Sequence, residues 1–182
     1  MTRKEMTEIF SIMLLAYPNA EVFKGGIDKL GPTITLWTQC VPEIDFWTGQ
    51  KAVVKLCREC KYPPTIAEFR EKAENVESEI KAEIETAWAI VRMMLKFDNK
   101  SPHEVLASLP EGSPSRAAIL AMGGADKLLV ETNYHLGDGV VKKATQMNFE
   151  GFEQAYRALL RGGAPIKAAL PSGTKQIGGN RR

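Results

Sequence analysis

Along most of the chain, apolar residues recur at steps of three and four, the period of a helix with one buried face. No segment alternates for long enough to read as a half-buried strand. Met6, Ile9, Phe10, Met13, Leu14 and Tyr17 form the first such face. Thr2, with Glu5 three residues on, makes a capping box before it. Pro18 ends it, because the residue before a proline is pushed out of the helical region. Gly25-Gly26 and Gly31-Pro32 punctuate the loop that follows. A short helix is predicted over 33–41 around Leu36 and Trp37. Asp45 caps the next helix, whose buried stripe is read as Ala52, Val53, Leu56, Cys57 and Cys60.

The run Lys61-Tyr62-Pro63-Pro64-Thr65-Ile66-Ala67-Glu68-Phe69 predicts a rigid corner between two helices. Two prolines force an extended approach. Thr65 and Glu68 then form a second capping box, with Ile66 and Phe69 facing inward. A long helix follows, polar at first, carrying Ile80, Ile84, Trp88, Val91 and Leu95 at helical steps to about Phe97. Ser101-Pro102-His103-Glu104 starts another helix with Val105, Leu106 and Leu109 on its apolar face. Ser113-Pro114 starts a further one, stopped by Gly123-Gly124. Residues 125–131 are read as one more helix and Asn133 to Gly139 as a loop. Phe149, Phe152, Tyr156, Leu159 and Leu160 mark a last amphipathic helix, ended by Gly162-Gly163. Gly-Gly-x-Asp-Lys-Leu occurs at 25–30 and again at 123–128, with unmatched flanks. It reads as shared loop and cap chemistry, not as an internal repeat.

This pattern predicts an all-α protein. A small N-terminal helical bundle, 1–76, is joined by a connecting helix, 77–100, to a second helical unit, 101–161. A disordered tail, 162–182, closes the chain. The charge is segregated in step. Residues 1–76 carry 10 Lys/Arg and 10 Asp/Glu, residues 77–161 carry 10 and 12, and the last 21 carry 4 and none. The tail therefore supplies the whole positive excess, and it holds 5 of the 15 glycines. Such a stretch has too little apolar surface to offset its ordering entropy.

Composition narrows the class further. With 182 residues and 44% hydrophobic content the chain can bury a core without disulfides. Three cysteines, an odd number, fit a reducing compartment. The longest mainly apolar stretch, Ile9 to Tyr17, is far below the roughly 20 residues of a membrane helix. The N-terminus lacks the apolar core of a secretory signal. A cytoplasmic protein with no membrane partner is expected.

The chemistry of an enzyme is missing from the sequence. There is no GxxxxGK[ST], GxSxG, HExxH or dinucleotide fingerprint. Cys57-Arg58-Glu59-Cys60 invites a redox or zinc reading, but the pair ends a helix instead of opening one. A zinc site wants four ligands, and Cys40, His103 and His135 stand singly. No catalytic, cofactor or metal residue is assigned, and buried small hydrophobes are the better account of the cysteines.

Two features suit a binding protein. Lys51, Lys55 and Arg58 stack along one side of the third helix. They are either a solvated face suited to a helix C-terminus or a docking patch for phosphate or an acidic protein. Phe149, Phe152, Tyr156, Leu159 and Leu160 are either the core of the second unit or a helix offered to a partner's groove. Tyr62, Pro63, Pro64, Thr65 and Glu68 are architectural.

The order of Ala16-Tyr17-Pro18-Asn19, then Leu36-Trp37, then Lys61 to Phe69 resembles the N-terminal domain of the helicase loader/inhibitor family of phages of Gram-positive bacteria. The likeness covers residues 1–76. Leu106 to Leu109, Gly123-Gly124 and Phe149 to Leu160 are similar in layout to the C-terminal portions of some longer relatives. The resemblance implies a non-enzymatic replication protein without cofactor. It would bind the replicative hexameric helicase, hold it inactive and load it at an origin marked by an initiator protein, with direct DNA contact weak or absent. It also implies that the C-terminal part grips the helicase. Here 101–161 carry caps and stripes of their own, so which half grips stays open.

Two other classes compete. A small helical DNA-binding protein would use Lys51, Lys55, Arg58, Arg181 and Arg182, although residues 1–161 are net negative and show no recognition-helix motif. A virion assembly protein would co-purify with head or tail proteins.

Overall fold

The computed structural model describes residues 1–135 and 141–162. Its order is α1 (Arg3–Ala16), α2 (Gly31–Cys40), α3 (Phe46–Glu59), α4 (Ile66–Lys96), α5 (Pro102–Ser108), α6 (Pro114–Ala121), β1 (Leu129–His135), β2 (Val141–Met147) and α7 (Phe149–Leu160). Among the described residues there are seven α-helices and one small two-stranded sheet. The chain divides into two compact units, Met1–Glu83 and Ile84 onward, with the division inside α4. The disordered tail expected at 162–182 lies, from residue 163, outside the described residues.

Local capping chemistry sets the helix starts. Thr2 and Glu5 close a reciprocal box on α1: the Thr2 N–H donates to Glu5 Oε2 at 2.7 Å, and the Glu5 N–H donates to Thr2 Oγ1 at 3.3 Å. Ser101 and Glu104 repeat this on α5. Asp45 accepts from the N–H groups of Trp47 and Thr48 at the head of α3, and Ser113 accepts from that of Arg116 at the head of α6. Each box satisfies donors that a helix leaves open at its first turn.

The repeated Gly-Gly-x-Asp-Lys-Leu sequence takes the same shape twice. Gly25 and Gly26, like Gly123 and Gly124, have positive φ. Each pair leads into a 3-10 turn, Ile27–Leu30 and Ala125–Leu128, whose final leucine is buried. The glycines supply a backbone that other residues resist, so one local solution serves two unrelated flanks.

In the first unit, α1, α2 and α3 enclose Met6, Ile9, Phe10, Met13, Ile34, Trp37, Ala52, Val53 and Leu56, all buried. The start of α4 adds Phe69, Ala73, Val76 and Ile80. Phe10 meets Trp37 edge-on at 5.1 Å between ring centroids, and Trp37 meets Phe69 at 5.5 Å. Gly49 on α3 lets this happen: a Cβ there would stand 3.2 Å from Phe69 Cζ. The stripe expected on α3 holds only in part, since Cys57 and Cys60 are half-buried. They lie in the last turn, where α3 leaves the core.

The second unit buries Ile84, Trp88 and Val91 of α4 with Val105, Leu109, Ile119, Leu128, Phe152 and Tyr156. Its β-hairpin corrects the sequence reading. The helix expected over 125–131 is a 3-10 turn followed by β1. Asn133, Tyr134 and His135, expected in a loop, belong to β1, and the rest of that loop, 136–139, lies outside the described residues. The strands pair antiparallel, Leu129 opposite Met147 and Thr132 opposite Ala144, and the Thr132 hydroxyl donates to the Ala144 carbonyl at 3.2 Å. Val130, Thr132 and Tyr134 favour a strand by shape, but β2 is polar and gains its order only from its partner.

Candidate functional site

The expected corner is built as the sequence reads. The Thr65 N–H and hydroxyl both donate to Glu68 Oε2, at 2.7 and 2.8 Å, and the Glu68 N–H donates back to Thr65 Oγ1 at 3.3 Å. Pro64 is buried and Pro63 half-buried, whereas Tyr62 is 70% exposed beside them. Arg70, one turn into α4, pairs with Glu43 at 3.0 Å and donates to the Cys40 carbonyl, fastening the corner to the loop after α2.

The three carboxylates of the capping boxes are held below the usual carboxylate range. The backbone N–H of Thr65 is the largest cause for Glu68, followed by its hydroxyl, and Thr2 and Ser101 act likewise on Glu5 and Glu104. A depressed folded-state pKa stabilises above the unfolded value, ordinarily near 4.5, and that stability is lost as pH falls through the folded value. Through loss of its side-chain N-cap, Thr65→Ala is expected to cost about 1 kcal/mol near neutrality. The gap from wild type should narrow as acid protonates Glu68. Chemical denaturation at pH 7 and below pH 4 checks both parts, and a gap that widened in acid would contradict the cap.

The basic stripe of α3 faces α4. Lys55 pairs with Glu79 at 2.5 Å, so one of its three charges is already compensated within the unit. Lys51 lies over the Trp47 ring, 4.0 Å from its centroid. Arg58 is exposed and, among the described residues, has no carboxylate partner. Further along, Lys72 of α4 reaches back to Glu59 of α3 at 2.6 Å, which raises the lysine pKa. Beside the Lys55–Glu79 bridge runs a groove of about 450 Å³. Its floor is Val54, Val76 and Ile80, one wall carries Trp47, Lys51 and Arg58, and the other carries Glu79 and Glu83. Sequence reasoning found the cations but missed Trp47, Val54 and the α4 wall. Trp47 stands one turn before Lys51, so the sequence did hold that signal. The α4 wall is set by packing between segments distant in the chain.

The aromatic face of α7 points into its own unit. Phe152 and Tyr156 are buried, with ring centroids 5.8 Å apart. Trp88 meets Phe152 at 5.1 Å and half-buried Phe149 at 5.7 Å. Leu159 and Leu160 are half-buried.

Tyr17, at the end of α1, donates its hydroxyl to the Cys60 carbonyl at 3.1 Å, tying α1 to the end of α3. Burial pushes its pKa up to about 12. Burial also raises the Cys57 thiol, against a hydrogen bond with Tyr17 that lowers it. A thiol so placed stays protonated and is a poor nucleophile. Among the described residues no group of three or more His, Cys, Asp and Glu is placed to hold a metal, and no helix is long and apolar enough to cross a membrane.

Residues 1–70 match the family described as the N-terminal domain of the helicase loader/inhibitor of phage SPP1. The match covers 70 of the 182 residues. No curated protein and no solved structure matches the chain.

Proposed function

We propose that this protein binds the replicative hexameric helicase of a phage, holds it inactive and delivers it to an origin marked by an initiator protein, inside the infected bacterium. The observation that carries this reading is the loader-family domain over residues 1–70. Its joining to a second folded helical unit gives the chain two bodies with which to touch two partners. A loader that hydrolyses no nucleotide acts by binding energy alone. It must prefer one helicase conformation, since a ligand that binds all states equally shifts nothing. Release then follows when the initiator competes for the loader or the helicase.

Direct DNA binding is the weaker alternative. Of the three cations it would use on α3, Lys55 is paired with Glu79, and acidic side chains face the other two across the groove. The test is a mixture of the full chain with the purified phage helicase. A stable complex with depressed DNA-stimulated ATP hydrolysis by the helicase is expected. DNA binding that weakens steeply with salt, with no helicase complex, would overturn the reading.

A further inference from the structure

We propose that an exposed apolar seam on the second half of α4 is where a helix of the helicase docks, one with an apolar face and acidic residues along its edge. This rests on the helicase-binding reading above and adds the surface and the chemistry of the contact.

Thr86, Ile90, Met93 and Phe97 follow one another at steps of four, three and four, the spacing by which one helix lays a seam against another. The whole stretch lies in the second unit. That unit builds its core from another side of α4. Ile84, Ala87, Trp88 and Val91 are buried, whereas Ile90, Met93 and Phe97 are 43%, 51% and 73% exposed. Ala89, small and exposed, stands beside the seam. The end of the seam is fixed by backbone bonds. The Phe97 N–H donates to the Met93 carbonyl at 2.8 Å. Asn99, with a φ of 51°, then turns the chain so that the Lys100 N–H donates to the Met94 carbonyl at 3.2 Å.

Charge selects the occupant. From Thr86 to Phe97 the chain holds two cations and no carboxylate. Arg92 and Lys96 are exposed, lie one turn apart on the same edge of the seam, and have no carboxylate partner among the described residues. A second copy docking by the same seam brings no opposite charge to that edge. The last 21 residues of this chain carry 4 Lys/Arg and no Asp/Glu, so they are repelled as well. A phosphate backbone would find only these two cations, bounded by Glu85 and Asp98, and would gain nothing from Ile90 and Met93. A helix with acidic residues one turn apart beside an apolar face meets both halves of the surface at once. Holding a helicase inactive calls for a long-lived contact. Apolar burial supplies the lifetime, and the paired charges fix the direction.

The experiment follows binding of the full chain to the purified phage helicase by titration calorimetry at two salt concentrations. Met93→Gln/Phe97→Gln removes the apolar seam, Arg92→Glu/Lys96→Glu reverses its edge, and Arg92→Lys/Lys96→Arg conserves it. All four positions are exposed, so melting curves should match wild type. Loss of the seam is expected to weaken binding by about tenfold or more at both salt concentrations. Charge reversal should weaken it by about as much at low salt and by less at high salt, while the conservative variant binds as wild type does. If the seam variant melts early, the charge reversal decides alone. Wild-type affinity in the folded seam variant or in the reversed variant, with helicase still bound by wild type, would overturn the seam assignment alone. Absence of helicase binding by wild type would overturn the underlying reading as well. Sedimentation of the chain by itself and a titration with a duplex oligonucleotide complete the test. Self-association or DNA binding that these variants lose, while helicase binding stays, means that the seam serves that other occupant and the proposal fails.

Discussion

Replacing Phe152 by alanine is expected to destabilise the second unit by about 3–5 kcal/mol, the range for truncating a fully buried phenylalanine. The side chain has no exposed surface. Its ring lies between those of Trp88 and Tyr156, at 5.1 and 5.8 Å. Removing it deletes both aromatic contacts and leaves a cavity whose walls are themselves large and tightly held. Leu160→Ala, on the same helix but half-buried, should cost much less. Urea denaturation followed through Trp88, in a background where Trp37 and Trp47 are replaced by phenylalanine, would report the unit directly. The result separates two roles for α7. A core helix loses stability when Phe152 is cut back. A helix held out to a partner would lose binding at unchanged stability, and that outcome would contradict the packing described above.

Phe69→Ala should be as severe in the first unit, again about 3–5 kcal/mol. This ring is also fully buried, and it meets Trp37, which in turn meets Phe10. The chain thus links α1, α2 and α4 through three aromatic side chains, with Gly49 of α3 leaving room beside the third. Most small domains have only about 5–15 kcal/mol in hand, so one such loss takes up a large share of the margin. Denaturation of the full-length variant, read by far-ultraviolet circular dichroism, checks it. A loss under about 1 kcal/mol would mean that the three-ring chain is not what joins α4 to the bundle.

The positions most legible in advance were those governed by short-range chemistry. Thr2 with Glu5, Thr65 with Glu68, and Ser101 with Glu104 each closed a cap because donor and acceptor lie three residues apart on one stretch of chain. The stripes of α1 and α4 followed for the same reason, since period alone selects one face of a helix. The hairpin was missed because β2, Val141–Met147, is polar and has no period of its own. Its order comes from β1, and no pattern within β2 itself announces that pairing. The Gly-Asp-Gly run at 137–139 was the one local signal for a turn between strands. The expected burial of Cys57 and Cys60 failed for a related reason: period marks the face of a helix but not where that face runs off the core.

The sequence by itself determined the helical class, the capped starts, the corner at Tyr62 to Glu68 and the likeness to a loader domain over the N-terminal stretch. Those depend on neighbours a few residues apart, whose geometry the backbone fixes. Only the tertiary structure decided which charged and aromatic side chains are buried or paired and which are left exposed. It paired Lys55 with Glu79, left Lys51 and Arg58 beside an apolar floor, and turned Phe152 inward. Such choices depend on which distant helix comes to rest alongside, and burial, not spacing, sets the outcome.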